Sequence, residues 1–408
     1  MPLLDKLLIE NSDKILIAFS GGKDSVVLLD ILSKTINKEK IAIAHIDHEI
    51  RESSYKDALF SKEIAKKYKV KFFEKKLSLS NLKSNTEAIA REKRYQALYE
   101  IAKNNEYDKI ATAHTKSDNI EQFFIKLYRG SSLNGLGGIK KEINIIIRPL
   151  LDFTSNDIKD YIKKHHLKHI EDETNKESIY LRNKIRNEIL PELNIPNYDL
   201  NTHIINLMKQ INKDNEYFNE ILEKFVKKIY NFDNFLFFDN SLLLNQPDSI
   251  KSRFIHLILL RFFNTNSNYN KITDISNSIS TVVKIQISKE LNFYSDKNYT
   301  AFVSSNNSLL SIKDTEKIFN IIKDKISYFR NCNINELLIN ENIKLINFKN
   351  GDKFKKYNNK TIKLKDIFID HKIPVFLRKS WPLLSLNEQI IAIPFIEKGN
   401  YYNPSNKK

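Results

Sequence analysis

The chain has 408 residues, enough for two or three domains at about 150 residues each. Hydrophobic residues make up 41% and charged residues 28%, which excludes a wholly disordered chain, and no apolar run reaches the roughly 18 residues of a membrane span. The single cysteine, Cys332, excludes an internal disulfide and a cysteine-built metal site and favours the cytoplasm, while the net charge of +16 is typical of a protein that binds a polyanion.

Short apolar runs alternate with helical patterns in the first third of the chain. Strands are predicted at 14–19, 41–46, 70–73 and 109–113, and helices at 24–36, 55–68, 86–103 and 118–128. This alternation predicts a parallel sheet with helices on both faces. Because ligands of such sheets bind beyond the carboxyl ends of the strands, we expect the chemistry at residues 20–25, 45–51 and 114–121.

The rest of the chain is predicted to form a helix that starts at Thr154, a long amphipathic helix at 201–230, mixed helical stretches, and short β-type runs after residue 337. The predicted fold class is α/β: a parallel-sheet catalytic domain, a mainly helical middle domain and a small C-terminal α+β domain. The predicted boundaries are 1–196, 197–312 and 331–408, with a linker helix at 313–330.

The strongest local signal is the string Ser20-Gly21-Gly22-Lys23-Asp24-Ser25, which follows a predicted strand and opens a predicted helix. Backbone N–H groups and the positive end of the helix dipole favour a phosphate at such a turn. Asp24 would repel that phosphate unless Mg²⁺ lies between them, so we interpret Asp24 as a metal ligand. The alternative is an ordinary strand–helix turn capped by Asp24.

This string resembles the SGGxDS signature of the PP-loop ATP pyrophosphatases, which split ATP between the α- and β-phosphates. Further motif residues are spread over nearly the whole chain: His45, Asp47, His48, Arg51, Asn85, Arg91, Arg94, Tyr95, His114, Asp118, Glu121, Arg129, Gly130, Gly137, Arg148, Asp172, Asn175, Tyr180, Arg182, Arg186, Gly351, Lys353, Lys363, Lys365, Arg378 and Pro382. With these residues the chain resembles the tRNA(Ile)-lysidine synthase family. Four positions depart from the family pattern: Thr115 replaces a frequent histidine, Ser117 an aspartate, Glu49 a glycine and Glu173 a proline.

The resemblance implies an ATP-dependent ligase that joins L-lysine to C2 of the wobble cytidine in the CAU anticodon of an isoleucine tRNA. The C2 oxygen is first adenylated, the lysine amine then displaces AMP, and diphosphate is released. ATP and Mg²⁺ are the implied cofactors, the cytoplasm is the expected location, no membrane partner is expected, and a homodimer is left open.

The site residues fall into three groups. The nucleotide is assigned to Ser20, Gly21, Gly22, Lys23, Asp24, Ser25, His45 and Asp47, with Asp24 on the metal. Catalysis is assigned to Asp24, Arg91, Asp118 and Glu121, because Asp118 and Glu121 share a helix face and suit the lysine ammonium. The tRNA is assigned to Arg94, Arg129, Arg182, Arg186, Lys353, Lys363, Lys365 and Arg378. Residues 331–408 hold 14 basic against 7 acidic residues, and we expect most of the aromatic residues there to be core.

Structural alternatives stay open for three pairs of these residues. They are an exposed salt-bridged helix face for Arg91 and Arg94, a solvated helix start for Asp118 and Glu121, and an ordinary strand-end turn for His45 and Asp47. Other functions also stay open. A tRNA thiolase of the same superfamily needs reactive cysteines near the loop, and an ammonia-dependent amide ligase gives no reason for the charge of +16. A catalytically impaired tRNA-binding homologue is kept open by Thr115 and Ser117.

Overall fold

In a computed structural model the described residues are 9–10, 12–47, 54–77, 86–171, 181–193, 195–305, 309–326, 342–356 and 359–399. His48, Glu49, Arg51, Asn85, Asp172, Glu173, Asn175, Tyr180 and Cys332 therefore lie outside them. The chain divides into two compact units, Met1–Glu216 and Tyr217–Lys408. The predicted boundaries at 196, 312 and 330 stay a prediction. Within the described part of the chain, no helix is both long enough and apolar enough to cross a bilayer.

The first unit contains the predicted sheet. Its strands are β1 (Ile15–Ala18), β2 (Ile41–Asp47), β3 (Lys71–Lys76), β4 (Lys109–Ala111), β5 (Glu142–Ile143) and β6 (Ile146–Ile147), in the spatial order β3-β2-β1-β4-β6-β5. The pairs are parallel apart from the β5–β6 pair. The predicted parallel sheet is thus confirmed.

Helices cover both faces of this sheet. They are α1 (Lys23–Thr35), α2 (Ser54–Tyr68), α3 (Thr86–Asn104), α4 (Lys116–Tyr128), α5 (Leu133–Leu136), α6 (Ser155–His165), α7 (Leu181–Lys184), α8 (Leu190–Glu192) and the start of α9 (Leu200–Val226), with a π-helical turn at Ile185–Ile189. Side chains from α1, α2 and α6 pack on one face and those from α3 on the other. Burial on both faces explains why β1 reads as an uninterrupted apolar run.

The strand order fixes where a ligand can bind. β1 pairs with β2 on one side and with β4 on the other. The chain therefore runs from β1 to β2 and β3 on one side and then crosses to β4 on the other side of β1. The crevice beyond the carboxyl ends of β1 and β4 lies at this topological switch point. The loop at 19–22 and the segment at 112–115 end there, which brings the predicted phosphate loop towards α4.

The second unit carries helices and sheets. Its helices are α10 (Asp248–Phe263), α11 (Tyr269–Asn277), α12 (Ile312–Ile322) and α13 (Leu364–Asp370). Its strands are β7 (Tyr230–Phe232), β8 (Phe235–Asp239), β9 (Val283–Gln286), β10 (Leu291–Ser295), β11 (Tyr299–Ser304), β12 (Ile343–Asn347), β13 (Lys353–Lys355), β14 (Thr361–Lys363), β15 (Pro382–Leu386), β16 (Gln389–Ile393) and β17 (Glu397–Lys398). The helices of the middle region are confirmed, and beside them stands a five-stranded antiparallel sheet, β7-β8-β11-β10-β9, that sequence analysis did not predict.

One core joins this sheet to the C-terminal module. Phe237 and Ala301 from β8 and β11 pack in the same cluster as Phe354, Phe368 and Trp381. These aromatic side chains are buried, which confirms that the aromatic residues predicted as core are core. Removing the C-terminal module would therefore expose one face of the middle sheet, so single substitutions are the sharper test of its function.

Most element boundaries agree with the sequence within one to three residues. There are two exceptions among the described residues. The linker helix predicted at 313–330 ends as an α-helix at Ile322, and the long helix predicted to reach Tyr230 ends at Val226. Tyr230 instead starts β7, whose partner β8 is the fully apolar run Phe235–Phe238 with one polar residue after it. The helix ends before Tyr230 because the residues from Tyr230 to Phe232 pair with β8 as a strand.

Candidate active site

The loop between β1 and α1 has the shape of a phosphate cradle. Gly21 has a φ of +79°, a conformation that an L side chain rarely adopts. The Ser25 hydroxyl donates to the Gly22 carbonyl at 2.8 Å, and the Gly22 N–H lies 3.3 Å from the Ser20 hydroxyl. Helix α1 begins at Lys23, so its first N–H groups and its positive dipole end face the mouth of the loop.

Two side chains wall this loop. A Cβ placed on Gly21 would lie 2.6 Å from Cδ1 of Ile170 and 3.3 Å from Cδ1 of Phe60. The Ile170 N–H also donates to the Gly21 carbonyl at 2.9 Å. Glycine is therefore required at position 21 for both its backbone conformation and its space. Sequence analysis gave Ile170 no role, because its contact with Gly21 spans 149 positions of the chain.

Asp24, in the first turn of α1, faces a polar cavity of about 440 Å³. The cavity is lined by Lys23, Asp24, Thr115, Ser117, Asp118, Ile120, Glu121, Ser155, Arg186, Leu190, Pro191, Leu200 and Asn201. Burial raises the pKa of Asp24 to about 6, with Asp118 and Glu121 adding to the rise and Lys23 and Arg186 opposing it. The fold thus brings the predicted metal ligand and the predicted lysine carboxylates to one cavity.

Asp118 and Glu121 are held by two arginines. Arg182 donates from Nη2 to Asp118 Oδ1 at 2.5 Å and from Nε to Glu121 Oε2 at 2.9 Å. Arg186 donates from Nε to Glu121 Oε1 at 2.5 Å and from Nη2 to Glu121 Oε2 at 2.9 Å. The side chain of Glu121 is only 2% exposed. These four residues form a charge-balanced cluster, and α4 does not have the solvated start that was the alternative.

Arg182 and Arg186 were assigned to tRNA from their basic stretch, and in the structure both bind the carboxylates of Asp118 and Glu121. Arg182 lies in α7 and Arg186 in the π-helical turn that follows it, a deviation that often marks functional sites. Burial opposes the charge of Arg186, but Glu121 and Asp118 outweigh it and raise the pKa of Arg186. A tRNA contact by these two side chains stays a prediction.

Two of the four departures from the family pattern, Thr115 and Ser117, lie in the described part of the chain and have structural partners there. Thr115 is the N-cap of α4: its N–H and its hydroxyl both donate to Asp118 Oδ2 at 2.8 Å, which forms a capping box. Ser117 Oγ lies 2.8 Å from Ser155 Oγ in the first turn of α6. Burial disfavours the charged form of Asp118, but Arg182 and Thr115 outweigh it and lower its pKa. Thr115 therefore holds Asp118, and Ser117 connects α4 to α6, at the wall of the cavity.

His114 lies beside this cluster and received no role from the sequence. Its Nδ1 lies 2.9 Å from the Thr112 hydroxyl. Burial lowers the pKa of His114 well below its ordinary value, Asp118 opposes the shift, and the charges of Arg91, Arg148 and Arg182 add to it. The imidazole is therefore neutral at pH 7. Sequence analysis included His114 in the segment 114–121, where chemistry was expected, but assigned it to neither the nucleotide, catalysis nor the tRNA.

The remaining nucleotide candidates lie at the end of β2. His45 is 5% exposed, and its Nδ1 lies 3.1 Å from the Phe19 carbonyl oxygen and 3.3 Å from the Ser61 hydroxyl. Asp47 is also buried. His45 thus braces the strand end that leads into the phosphate loop, and direct nucleotide contact by His45 or Asp47 stays a prediction.

The predicted cationic contacts on α3 and α4 are exposed. The Arg91 guanidinium lies 5.3 Å from the centroid of the Tyr95 ring, and it contributes to the electrostatic field at His114. Arg94 is exposed one turn further along α3, and Arg129 is exposed at the C-cap of α4. Arg91 is therefore within electrostatic reach of the cavity, while Arg94 and Arg129 face solvent.

The C-terminal candidates divide into two kinds. In the β13–β14 hairpin, Lys353 stands directly opposite Lys363, and the inner side chains are Phe354 and Ile362. Lys353, Lys363 and Lys365 are exposed. Arg378 differs, because its Nε donates to the Ile373 carbonyl at 2.9 Å and burial lowers its pKa. The hairpin presents a basic face, whereas Arg378 stabilises the chain that follows α13.

The donor set suits a magnesium ion shared with a ligand. Within the described ranges, no group of three or more His, Cys, Asp or Glu residues is arranged to hold a metal ion. Mg²⁺ commonly binds through one or two carboxylates, several waters and substrate phosphates. Asp24 is a partly buried carboxylate at the mouth of the phosphate loop, and burial raises its pKa. A cation bound beside Asp24 would offset that burial, so Asp24 fits as a carboxylate ligand that would hold Mg²⁺ when phosphate is bound.

Comparison with known proteins agrees with this geometry. Residues 3–193 match the model of the PP-loop domain, and residues 345–407 match the TilS substrate C-terminal domain. The tRNA(Ile)-lysidine synthase of Clostridium perfringens is 30% identical over 98% of this chain and 94% of its own. Those of Persephonella marina and Thermotoga maritima are 28% and 27% identical, over 98% and 97% of this chain and 94% of each of theirs.

Proposed function

The chain belongs to the tRNA(Ile)-lysidine synthase family, and we infer that it is a ligase that uses ATP to form lysidine in a tRNA. The observation that carries this inference is one cavity that is lined both by Lys23 and Asp24 of the phosphate loop and by Asp118 and Glu121. The reaction needs both sides, because the C2 oxygen of cytidine is a poor leaving group until it is adenylated, and a lysine amine must then replace it.

We place the triphosphate of ATP on the loop at residues 20–25. The N–H groups of the loop and of the first turn of α1 bind phosphate oxygens, and the Lys23 ammonium adds a mobile charge. Asp24 would hold Mg²⁺ against the phosphates. When bound, that ion supplies charge neutralisation at the α-phosphate. Asp24 would be the protein ligand that holds the ion at the edge of the cavity.

We assign the lysine substrate to the cluster of Asp118, Glu121, Arg182 and Arg186. Lysine carries an ε-ammonium and an α-carboxylate, so a site with two carboxylates and two guanidinium groups matches both ends. At an amine pKa of about 10.4, only about one lysine in 2,500 is neutral at pH 7, so the attacking amine needs a base. A carboxylate of the cluster that binds the ammonium is placed to take that proton.

We propose that an isoleucine tRNA with the anticodon CAU is the second substrate. Its anticodon is single-stranded, so the wobble cytidine reaches the cavity without the melting of a duplex. The β13–β14 hairpin supports this proposal, because two lysines directly opposite each other destabilise a hairpin unless a polyanion lies over them. The cytoplasm as the location and a homodimer remain proposals from the sequence.

The test is a single incubation with ATP, labelled lysine and a set of purified tRNAs, followed by analysis of the nucleosides. We expect label in lysidine from the isoleucine tRNA with the CAU anticodon, AMP and diphosphate in equal amounts, and no label when ATP is omitted. Tight tRNA binding without any AMP would favour the catalytically impaired homologue. Label in another tRNA, with the isoleucine tRNA unlabelled, would contradict the substrate assignment.

A further inference from the structure

A buried carboxylate behind the phosphate loop joins three helices. Asp30 lies two turns into α1 and is 5% exposed. It accepts hydrogen bonds from Lys34 Nζ at 2.6 Å, from the Tyr68 hydroxyl at 2.8 Å and from the Tyr161 hydroxyl at 2.8 Å. Lys34 belongs to α1, Tyr68 is the last residue of α2, and Tyr161 lies in α6.

The two helices tied to Asp30 are the ones that wall the phosphate loop. Helix α2 carries Phe60, and the chain that leaves α6 carries Ile170, and both side chains close on Gly21. The Ile170 backbone also bonds the Gly21 carbonyl. The spacing between α2 and α6 thus sets the width of the gap in which Gly21 lies. Asp30 connects both helices to α1 through the hydrogen bonds from Tyr68 and Tyr161.

Stability alone does not explain this arrangement. A buried, hydrogen-bonded charge is often no more stabilising than apolar side chains of similar volume, because desolvation offsets the attraction. The arrangement restricts geometry, because hydrogen bonds are directional. A carboxylate that accepts three of them restricts how the three helices can be placed relative to one another. Apolar contacts between the same helices would tolerate small shifts, and a shift of about 1 Å at a reacting group can cost a hundredfold in rate.

We propose that Asp30 is a positioning residue of the phosphate loop, which holds α2 and α6 at the separation that aligns the loop's amides with the triphosphate of ATP. This proposal rests on the proposed binding of ATP to residues 20–25. It assigns Asp30, Tyr68 and Tyr161 to the ATP side of the reaction, although none of them lines the cavity.

The experiment measures the KM values for ATP and for lysine, and the melting temperature, in Asp30→Asn, Tyr68→Phe and Tyr161→Phe. Removing one phenol donor should raise the KM for ATP about twofold to tenfold, and Asp30→Asn should raise it by at least as much, with the KM for lysine unchanged. Because both tyrosines act through Asp30, adding Tyr161→Phe to Asp30→Asn should raise the KM for ATP no further. If Asp30→Asn does not fold, the two tyrosine variants still test whether the hydrogen bonds to Asp30 affect the KM for ATP.

Tyr107→Phe is the matched control, since Tyr107 is also buried but packs on the opposite face of the sheet. It should leave the KM for ATP at the wild-type value. A lower melting temperature with a wild-type KM for ATP in all three variants would show that Asp30 is merely structural. Ser25→Ala separates the two proposals: if it raises the KM for ATP while Asp30→Asn does not, only the Asp30 proposal is wrong. If neither moves it, the phosphate-loop assignment is wrong as well.

Discussion

Arg186 binds Glu121 through two hydrogen bonds, from Nε at 2.5 Å and from Nη2 at 2.9 Å, although 65 positions separate them in the chain. With Arg182 on Asp118, this pairing leaves the cavity with balanced charge before any substrate arrives. A lysine ammonium that enters must therefore share or replace a guanidinium partner. The carboxylates are preorganised for a cation of that size, because Thr115 fixes Asp118 from the other side.

We expect Glu121→Gln to raise the KM for lysine about tenfold to a hundredfold, the equivalent of losing one charge-assisted hydrogen bond of about 1.5–3 kcal/mol. The measurement is a lysine titration at saturating ATP and tRNA, beside diphosphate release without lysine, which should persist. Glu188→Gln, an exposed substitution in the same π-helical turn as Arg186, is the control. Loss of diphosphate release with a normal KM for lysine would show that Glu121 serves ATP or its metal.

Asp24→Ala should lower AMP formation at least about a hundredfold while tRNA binding stays within twofold, because it removes the proposed magnesium ligand and no RNA contact. AMP release and filter binding of tRNA are measured on the same preparation. Asp160→Ala, on the exposed side of α6, should change neither quantity. Normal AMP formation in Asp24→Ala would contradict the assignment of Asp24 to the metal.

Thr115→Ala should lower the free energy of unfolding by about 1 kcal/mol, the usual contribution of an N-cap, and should weaken lysine binding because Asp118 loses the hydroxyl donor and keeps only the backbone N–H of residue 115. Thr115→Ser keeps a capping hydroxyl and should restore both properties. Denaturant unfolding and lysine titration distinguish the outcomes. If Thr115→Ala and Thr115→Ser behave alike, the cap does not act through Asp118.

The stability contributed by Asp30 should depend on pH. Burial opposes its ionisation, but hydrogen bonds from Lys34, Tyr161 and Tyr68 outweigh burial and lower its pKa below the ordinary 3.8. A carboxyl whose pKa is lower in the folded state stabilises the fold above about pH 4 and loses this effect as the pH falls through its folded pKa. We expect Asp30→Asn to melt about 2–6 °C below wild type at pH 7 and the gap to close below pH 4. A gap independent of pH would contradict the charged form of Asp30.

Lys353→Ala and Lys363→Ala should each weaken tRNA binding and reduce the slope of log K against log salt by up to about one. Either substitution should also stabilise the hairpin slightly, because it removes a like-charge pair. Arg378→Gln is the informative comparison, since its Nε is engaged with the Ile373 carbonyl. We expect a smaller change of slope there and a larger loss of stability. Equal slopes in all three variants and in wild type would mean that the hairpin does not bind tRNA.

The βα alternation, the phosphate loop and the α4 face with Asp118 and Glu121 could be predicted from the amino-acid sequence. These features are local: an apolar run, two adjacent glycines or an i,i+3 spacing specifies its conformation without distant partners. The start of α6 is of the same kind: the helix was predicted to start at Thr154, which is its N-cap. The family resemblance rested on the same short strings.

The partners of these residues, by contrast, follow from the three-dimensional fold and could not be predicted from the sequence. Arg182 and Arg186 look like RNA-binding residues in the sequence, and they lie on buried carboxylates because the turn after α7 packs against α4. Asp30 looks like an ordinary helix residue, and its partner Tyr161 comes from 131 positions away. The sheet at 230–304 was not predicted, for the same physical reason. Strand pairing is determined by non-local hydrogen bonds and by burial, and neither produces a strong local periodicity in the sequence.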